Sequence, residues 1–440
     1  MSLALAVDFG STFTKAALVD VGSGGLVATA SHRTTIDTDV LDGYRSIRAE
    51  LAGHGDAAEV VACSSAGGGL RLAVVGYERE VTAEAGHRVG LSAGARVEHV
   101  ASGRLDGAGV KALRASRPDI VLLVGGTDGG NAEVLLHNAT RLANVRITAP
   151  IVVAGNADAA DEVAAILAST GRTFTVTDNV LPRIGVIAPD AARAAIRQAF
   201  LHHVIGGKGL SRGPEFARLV QAATPDAVLA GVEVLAEAVD GDVLVVDVGG
   251  ATTDVYSVIN PQGEDAGLAK DVVAPLWHAR TVEADLGMRW NAEGVVEAAA
   301  REHLDVPKTL APYAARLAAD PAHLPAGRDE VELDLDLART AAVVAVRRHA
   351  RPPQPGSSPR PLADVSVVVG SGGVLRHGAP TDRDAVLAAV TADHAGGWKV
   401  PRDARVVTDT AYLLAAVGLL REAHPDAARE LAATVVGGRS

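Results

Sequence analysis

DVLVVDVGGATTDVYSVI, residues 242–259, is the stretch that decides the fold. An apolar run ends at Asp247. A turn of Gly249, Gly250, Ala251 and Thr252 follows, and a second apolar run leaves from Thr253 and Asp254. That pattern predicts strand, tight turn, strand, with glycines supplying backbone freedom at the turn. LALAVDFGSTFTKAALVD, residues 3–20, repeats the device, with Asp8 ahead of a turn of Gly10, Ser11 and Thr12, and Lys15 beyond it. Two copies about 240 residues apart suggest duplicated lobes.

The residue types in these turns suit phosphate. Gly, Ser and Thr let backbone N–H groups face an anion without bulky side chains in the way, and the hydroxyls add donors. Lys15 places a compact positive charge against a β- or γ-phosphate. Asp8, itself anionic, is suited to holding Mg²⁺, through waters because this ion gives up water reluctantly. Asp247 and Asp254 flank the second turn in the same way. The bland alternative is a pair of ordinary hairpins whose Asp and Ser cap the turns. A third segment, VVVGSGGV (residues 367–374), puts Gly370, Gly372 and Gly373 after a buried strand, where flat backbone can lie against adenine and ribose; many strand-to-helix loops look the same.

Between these motifs, strand-like runs alternate with helical ones. Strands are predicted at 59–63, 70–76, 120–124, 151–154 and 173–176, and helices at 38–52, 131–144, 158–169, 189–204, 226–239 and about 410–422. Alternation of this kind predicts an α/β architecture with parallel strands. The Pro/Ser-rich stretch ARPPQPGSSPRPL, residues 350–362, reads as a mobile surface loop.

The chain has 440 residues, a net charge of −12, and hydrophobic residues at 48% against 3% aromatics, so its core is built of Ala, Val and Leu. The negative charge argues against a duplex nucleic-acid binder, which needs a cationic surface. One cysteine, Cys63, excludes an internal disulfide framework and fits a reducing cytoplasm. No apolar run reaches the ~18 residues of a membrane span. The histidines show no zinc-protease spacing.

In order and spacing, the three glycine-rich segments resemble the phosphate 1, phosphate 2 and adenosine motifs of the actin, Hsp70 and sugar-kinase superfamily. More closely, the chain resembles the MutL/GlmL family of accessory proteins of glutamate (methylaspartate) mutase. DFGSTFTKAALVD, CSSAGGGLRLAVVG, DIVLLVGGTDGGNAEVLLHNA, PIVVAGN, VVDVGGATTDVYSV and RTVEADLGMRW carry that likeness, with VVGSGGVLRH and TDTAYLLAAVGLL toward the end. The resemblance implies a two-lobed, ribonuclease H-like ATPase fold with a nucleotide cleft between lobes: lobe I over 1–240 with extra βα units around 119–180, lobe II over 241–409, and a C-terminal helix over 410–440 returning to lobe I. It implies ATP and Mg²⁺ as cofactors. Asp8, Thr12 and Asp247 would stand at the reacting phosphate, and Asp8, Asp247 and Asp254 around the metal. Gly10, Ser11, Thr12, Lys15, Gly249, Gly250, Thr252, Thr253, Gly370, Gly372 and Gly373 would hold the nucleotide. It implies a cytoplasmic, slow Mg-dependent ATPase that reactivates an adenosylcobalamin-dependent mutase by releasing damaged cobalamin, with mutase subunits as partners.

One departure stands out. Where superfamily members often carry Glu or Gln to help the attacking water, this chain reads Ala223-Thr224-Pro225-Asp226, and Thr224 cannot take a proton as a carboxylate does. Asp128 and Glu283 are alternative carboxylates. GGTDGGN (residues 125–131) lacks the GxGxxG and Walker patterns. With Asn156 and Asn179 it suggests either a second ligand or partner face or plain helix caps. Two other functions stay open at this level, a sugar or carboxylate kinase on the same superfold and a filament-forming actin relative.

Overall fold

The computed structural model describes residues 2–66, 70–78, 81–93, 95–205, 209–259, 278–352 and 359–437. The chain divides into two compact units. One gathers Met1–Ala230 and Gly418–Ala427, the other Gly231–Pro261, Trp277–Val417 and Ala428–Ser440.

Among the described residues the first unit contributes ten strands: β1 (Leu3–Phe9), β2 (Phe13–Asp20), β3 (Gly25–Arg33), β4 (Glu59–Ser64), β5 (Arg71–Gly76), β6 (Arg96–Ser102), β7 (Ile120–Leu123), β8 (Ile151–Val153), β9 (Phe174–Val176) and β10 (Val220–Ala223). One five-stranded sheet runs in the order β10-β4-β1-β2-β3. Within it β1, β2 and β3 form an antiparallel meander, while β4 runs parallel to both β1 and β10. All seven residues of β1 are buried, as an apolar run at the centre of a sheet covered on both faces must be. The second sheet, β6-β5-β7-β8-β9, is wholly parallel. Its βα units begin at Arg71, well before the region around 119 where the sequence shows them most clearly. Leu72 and Val74 of β5 pack toward the first sheet's core, and Ala73 and Val75 toward the insert's own.

The second unit repeats the first sheet. Its strands are β11 (Val243–Val248), β12 (Thr253–Val258), β13 (His278–Glu283), β14 (Val367–Ser371) and β15 (Arg405–Thr408). They lie in the order β13-β12-β11-β14-β15, with an antiparallel meander of β11–β13 and two parallel strands beside β11. Strand for strand this is the arrangement of β3-β2-β1-β4-β10, so the duplication expected from the two Asp-Gly strings is present in the topology. The chain is therefore a mixed α/β protein of the ribonuclease H-like class. The long helix Gly327–Ala350 buries Leu337, Ala338, Ala341, Ala342 and Ala345 against this sheet, a core of small aliphatic side chains as the composition demands.

Two helices differ locally from expectation. The helix expected over 189–204 is α-helical over Asp190–Ala199 and then widens to a π-helical stretch, Phe200–Ile205. The helix expected over about 410–422 is Leu413–Leu420; a separate helix, Pro425–Gly437, begins at a proline that pre-sets its first turn. Residues 353–358 of the Pro/Ser-rich stretch lie outside the described residues. Among the described residues no helix is long and apolar enough to cross a membrane.

Candidate functional site: two Asp-Gly hairpins

In the first unit, the turn between β1 and β2 is closed by the Gly10 N–H donating to the Phe13 carbonyl at 3.1 Å. A Cβ on Gly10 would stand 2.5 Å from that oxygen, so only glycine fits. Thr34 ties back two of the turn's carbonyls: its hydroxyl donates to Gly10 O at 2.8 Å and its N–H to Thr12 O at 2.9 Å. With those acceptors occupied, the exposed edge at Ser11 and Thr12 presents donors, which is what an anion requires.

Asp8 is buried just before this turn and lies directly across from Lys15 on β2 and Cys63 on β4. Its Oδ1 accepts from the Thr224 hydroxyl at 2.5 Å, with the Cys63 thiol 3.6 Å away. Its Oδ2 faces the turn, 3.8 Å from where a Gly10 Cβ would sit. Burial, and then the charge of Asp8, push the Cys63 thiol well above its usual range, so this cysteine is a neutral, inert neighbour.

The second unit builds the same turn. The Gly249 N–H donates to Thr252 O at 2.9 Å, and a Cβ on Gly249 would stand 2.8 Å from that oxygen. Here a whole loop pins the carbonyls. Met288 N–H donates to Gly249 O, Arg289 and Trp290 N–H groups donate to Gly250 O, and the Asn291 amide donates to Ala251 O at 2.9 Å. Gly287 packs so close to Ala251 that a Cβ would come within 2.4 Å of its backbone. Arg289 is itself held by Asp334, which also accepts from Tyr313. This bracing accounts for the glycine and polar residues of DLGMRWN (residues 285–291).

Asp247 stands across from Asp254 on β12 and Ser371 on β14. Two carboxylates in adjoining strands repel unless a cation intervenes. Arg280 of β13 supplies it, donating to Asp254 Oδ1 at 2.7 and 3.1 Å, while Thr252 donates to Asp254 Oδ2 at 3.0 Å. Burial works against the Arg280 charge, but Asp254 and Tyr256 more than offset it and its pKa is raised. Beside it, burial above all raises the Tyr256 phenol, which stays neutral.

Gly370, Gly372 and Gly373 lie beside this hairpin. Val246 pairs with Gly370, and a Cβ on Gly372 (φ 105°) would stand 2.1 Å from Val248 O. The structure thus brings Asp247, Gly249, Gly250, Thr252, Thr253 and Asp254 together with the third glycine segment in one unit, and Asp8, Gly10, Ser11, Thr12 and Lys15 together in the other.

The other carboxylates singled out in the sequence are engaged elsewhere. Asp128 accepts from Ala157 N–H and the Asn179 amide, and Asn156 donates to Gly130 O, so the polar turns at 125–131, 154–156 and 177–179 close on one another. Glu283 is half-buried and paired with Arg348 at 2.7 Å; desolvation raises its pKa despite that partner. The sequence reading missed the Thr224–Asp8 bond, the Arg280–Asp254 pair and the 287–291 brace. None of the three has a local mark in the sequence, because each joins residues that lie far apart along the chain.

A family model and a curated relative give the same family. The model of the family described as MutL protein matches residues 4–436. Protein MutL of Clostridium tetanomorphum is 37% identical over 455 residues, covering 97% of this chain and 98% of that protein. Among solved structures, component A of (R)-2-hydroxyglutaryl-CoA dehydratase from Acidaminococcus fermentans aligns over 97% of this chain and all of its own length, at 11% identity and a TM-score of 0.34. An ethanolamine utilization protein from Carboxydothermus hydrogenoformans aligns over 95% of this chain and 89% of its own, at 12% identity and a TM-score of 0.32. Those two TM-scores are too low to bear on function. The family match spans nearly the whole chain, and the chain belongs to the MutL family.

Proposed function

We propose that the chain binds Mg²⁺-ATP and serves as an accessory ATPase of an adenosylcobalamin-dependent mutase of the glutamate (methylaspartate) type, releasing damaged cobalamin so that the mutase can be reloaded. The observation that carries the nucleotide part is the shared construction of the two turns. Each has a buried or half-buried Asp before it, a glycine N–H closing it, and carbonyls tied back so that donors face outward. Family membership supports the mutase part.

The residues present suit the groups they would hold. The turns at Gly10–Thr12 and Gly249–Thr252 offer amides and hydroxyls to phosphate oxygens. Asp8, through the Oδ2 that faces its turn, and Asp247 are hard oxygen donors of the kind Mg²⁺ prefers. Among the described residues no three His, Cys, Asp or Glu side chains converge on one ion position, so a metal here would be held largely through water and phosphate. Bound Mg²⁺ would neutralise phosphate charge. The chain's own part is to orient: Thr224 fixes the Asp8 carboxylate, and Arg280 offsets the Asp254 charge beside Asp247. Thr224 begins the helix where the superfamily resemblance would put a catalytic Glu or Gln, and Asp226, two residues on, is buried and paired with Arg197. Hydrolysis is accordingly slow. ATP occupancy alters mutase affinity only insofar as the mutase binds the two nucleotide states differently.

Isothermal titration with Mg-ATP tests the assignment. Asp8→Ala and Asp247→Ala each weaken binding while circular dichroism stays unchanged; unaltered affinity in both overturns the nucleotide reading. The mutase part is overturned by an enzyme that stays equally active over many turnovers with and without this protein and ATP.

A further inference from the structure

The first unit holds a cavity of about 190 Å³, and every residue that lines it belongs to that unit. Its wall starts on the sheet, at Glu59 and Val61 of β4 and at Ala222 of the neighbouring edge strand β10. Glu59 and Val61 are two residues apart, so their side chains leave the strand on one face. The helix Thr224–Val239 adds Asp226, Ala227 and Ala230, and the end of the helix Leu413–Leu420 adds Gly418. The space exists because Ala222, Ala227, Ala230 and Gly418 send nothing larger than a methyl group toward it.

Charged side chains of both signs border this floor of small residues. Asp226, only 3% exposed, accepts from Arg197 Nε at 2.6 Å through Oδ2. Its Oδ1 is buried and has no hydrogen-bond partner among the described residues; Arg193 Nη2 stands 3.8 Å from it. A buried carboxylate oxygen without a donor is costly, so it marks a place where a donor is wanted. Glu59, its Oε2 2.8 Å from His424 Nε2, is a second carboxylate on the wall. Arg197 and Arg421 put two guanidinium groups there as well. Glu422, largely exposed, reaches Arg197 Nη1 only at 3.4 Å, a weak contact that another carboxylate can displace. A lone ion would meet its own sign on such a wall. A molecule that carries both an ammonium and a carboxylate finds a partner for each.

We propose that this cavity binds a free α-amino acid with a small aliphatic side chain. Asp226 and Glu59 take the ammonium, Arg197 and Arg421 take the carboxylate, and the side chain lies on the alanines and Gly418. The size agrees: a cavity of about 150 Å³ admits a six-membered ring, so one of about 190 Å³ has room for the roughly eight non-hydrogen atoms of valine. The ligand is a second one, and its site does not depend on the nucleotide reading.

The test is isothermal titration of the full chain with L-valine and with its two half-molecules, isobutylamine, which keeps the ammonium, and isovalerate, which keeps the carboxylate. L-Valine binds, and each half-molecule binds roughly tenfold more weakly or worse, because one charge-assisted bond is gone. Asp226→Asn keeps the shape, weakens L-valine roughly tenfold and leaves isovalerate within about twofold. Ala227→Met fills the space and abolishes L-valine binding in a chain whose circular dichroism is unchanged; it removes no charged group, so it carries the test if Asp226→Asn fails to fold. No binding of L-valine to the unmodified protein overturns the inference. Equal affinity for the three compounds also overturns it, since that marks an apolar hole without charge recognition. So does L-valine affinity unchanged in Ala227→Met, which places the ligand elsewhere.

Discussion

The hairpins at Asp8 and Asp247 share one backbone and differ in how their charge is balanced. In each sheet the aspartate stands at the end of the central strand, opposite one residue of the antiparallel partner and one of the parallel partner. Those neighbours are Lys15 and Cys63 in the first unit, and Asp254 and Ser371 in the second. A lysine in one copy is thus an aspartate in the other. The first hairpin carries its cation on its own second strand. The second has to bring Arg280 from β13 to neutralise Asp254. The turn is therefore set by local chain geometry, while the charge around it is set by whatever the next element supplies.

The sharpest way to break this comparison is to remove the imported cation. Arg280→Met removes the buried cation from the half-buried Asp254 beside Asp247, and losing one member of a largely buried pair costs up to about 3–5 kcal/mol. Urea denaturation should show that loss, and Asp254→Asn in the same chain should recover much of it. A small effect would mean that the carboxylates are balanced otherwise.

The next test asks whether the turns are as alike as they look. Ala at Gly10 or at Gly249 forces a Cβ against a carbonyl oxygen at 2.5 or 2.8 Å, and each should destabilise its hairpin by about 1–3 kcal/mol. Gly10→Ala should cost at least as much as Gly249→Ala, because the approach is closer. Hydrogen exchange at β1–β2 and β11–β12 reads the two separately.

A smaller effect singles out the first hairpin. Thr224→Val keeps the shape and removes the donor to Asp8 Oδ1, at a cost of about 1.5 kcal/mol for a hydrogen bond to a charged acceptor. Thr224→Ser should be close to neutral in thermal unfolding; equal losses in the two variants would show that the methyl, not the hydroxyl, matters.

The smallest effect singles out the second hairpin through pH. His349 is fully buried, bonded to Ser257 of β12 and Thr281 of β13. Burial, then Arg360, holds its pKa well below the usual range. The folded form refuses a proton that the unfolded chain takes near pH 6.5, so the loss of stability is negligible well above that pH, sets in around it and grows as pH falls below it. At pH 6 the loss is about 0.8 kcal/mol, and it should be largely absent in His349→Gln.

Much of this was legible in the sequence. The runs ending at Asp8 and Asp247 announced central strands, and their Gly-Ser-Thr and Gly-Gly-Ala-Thr sequels announced turns, because strand burial and glycine geometry are properties of a few consecutive residues. The glycines at 370, 372 and 373 mark a turn open to close backbone approach, and Gly372 lies against Val248. The polar turns at 125–131, 156 and 179 were visible individually, but not that they bond one another. The sequence shows at Thr224 only the lack of a carboxylate, whereas the contact of Thr224 with Asp8 spans 216 residues and has no local mark.

Composition, strand pattern and turn chemistry alone determined the α/β class, the duplication, the two Asp-Gly turns and the family likeness. These depend on neighbours along the chain. Tertiary structure alone decided that Arg280 answers Asp254, that Thr224 holds Asp8, that residues 287–291 pin the second turn's carbonyls, and that Glu59, Arg197 and Asp226 border one cavity. Charge and hydrogen-bond partners are chosen by proximity in space, and that proximity exists only once the sheets have formed.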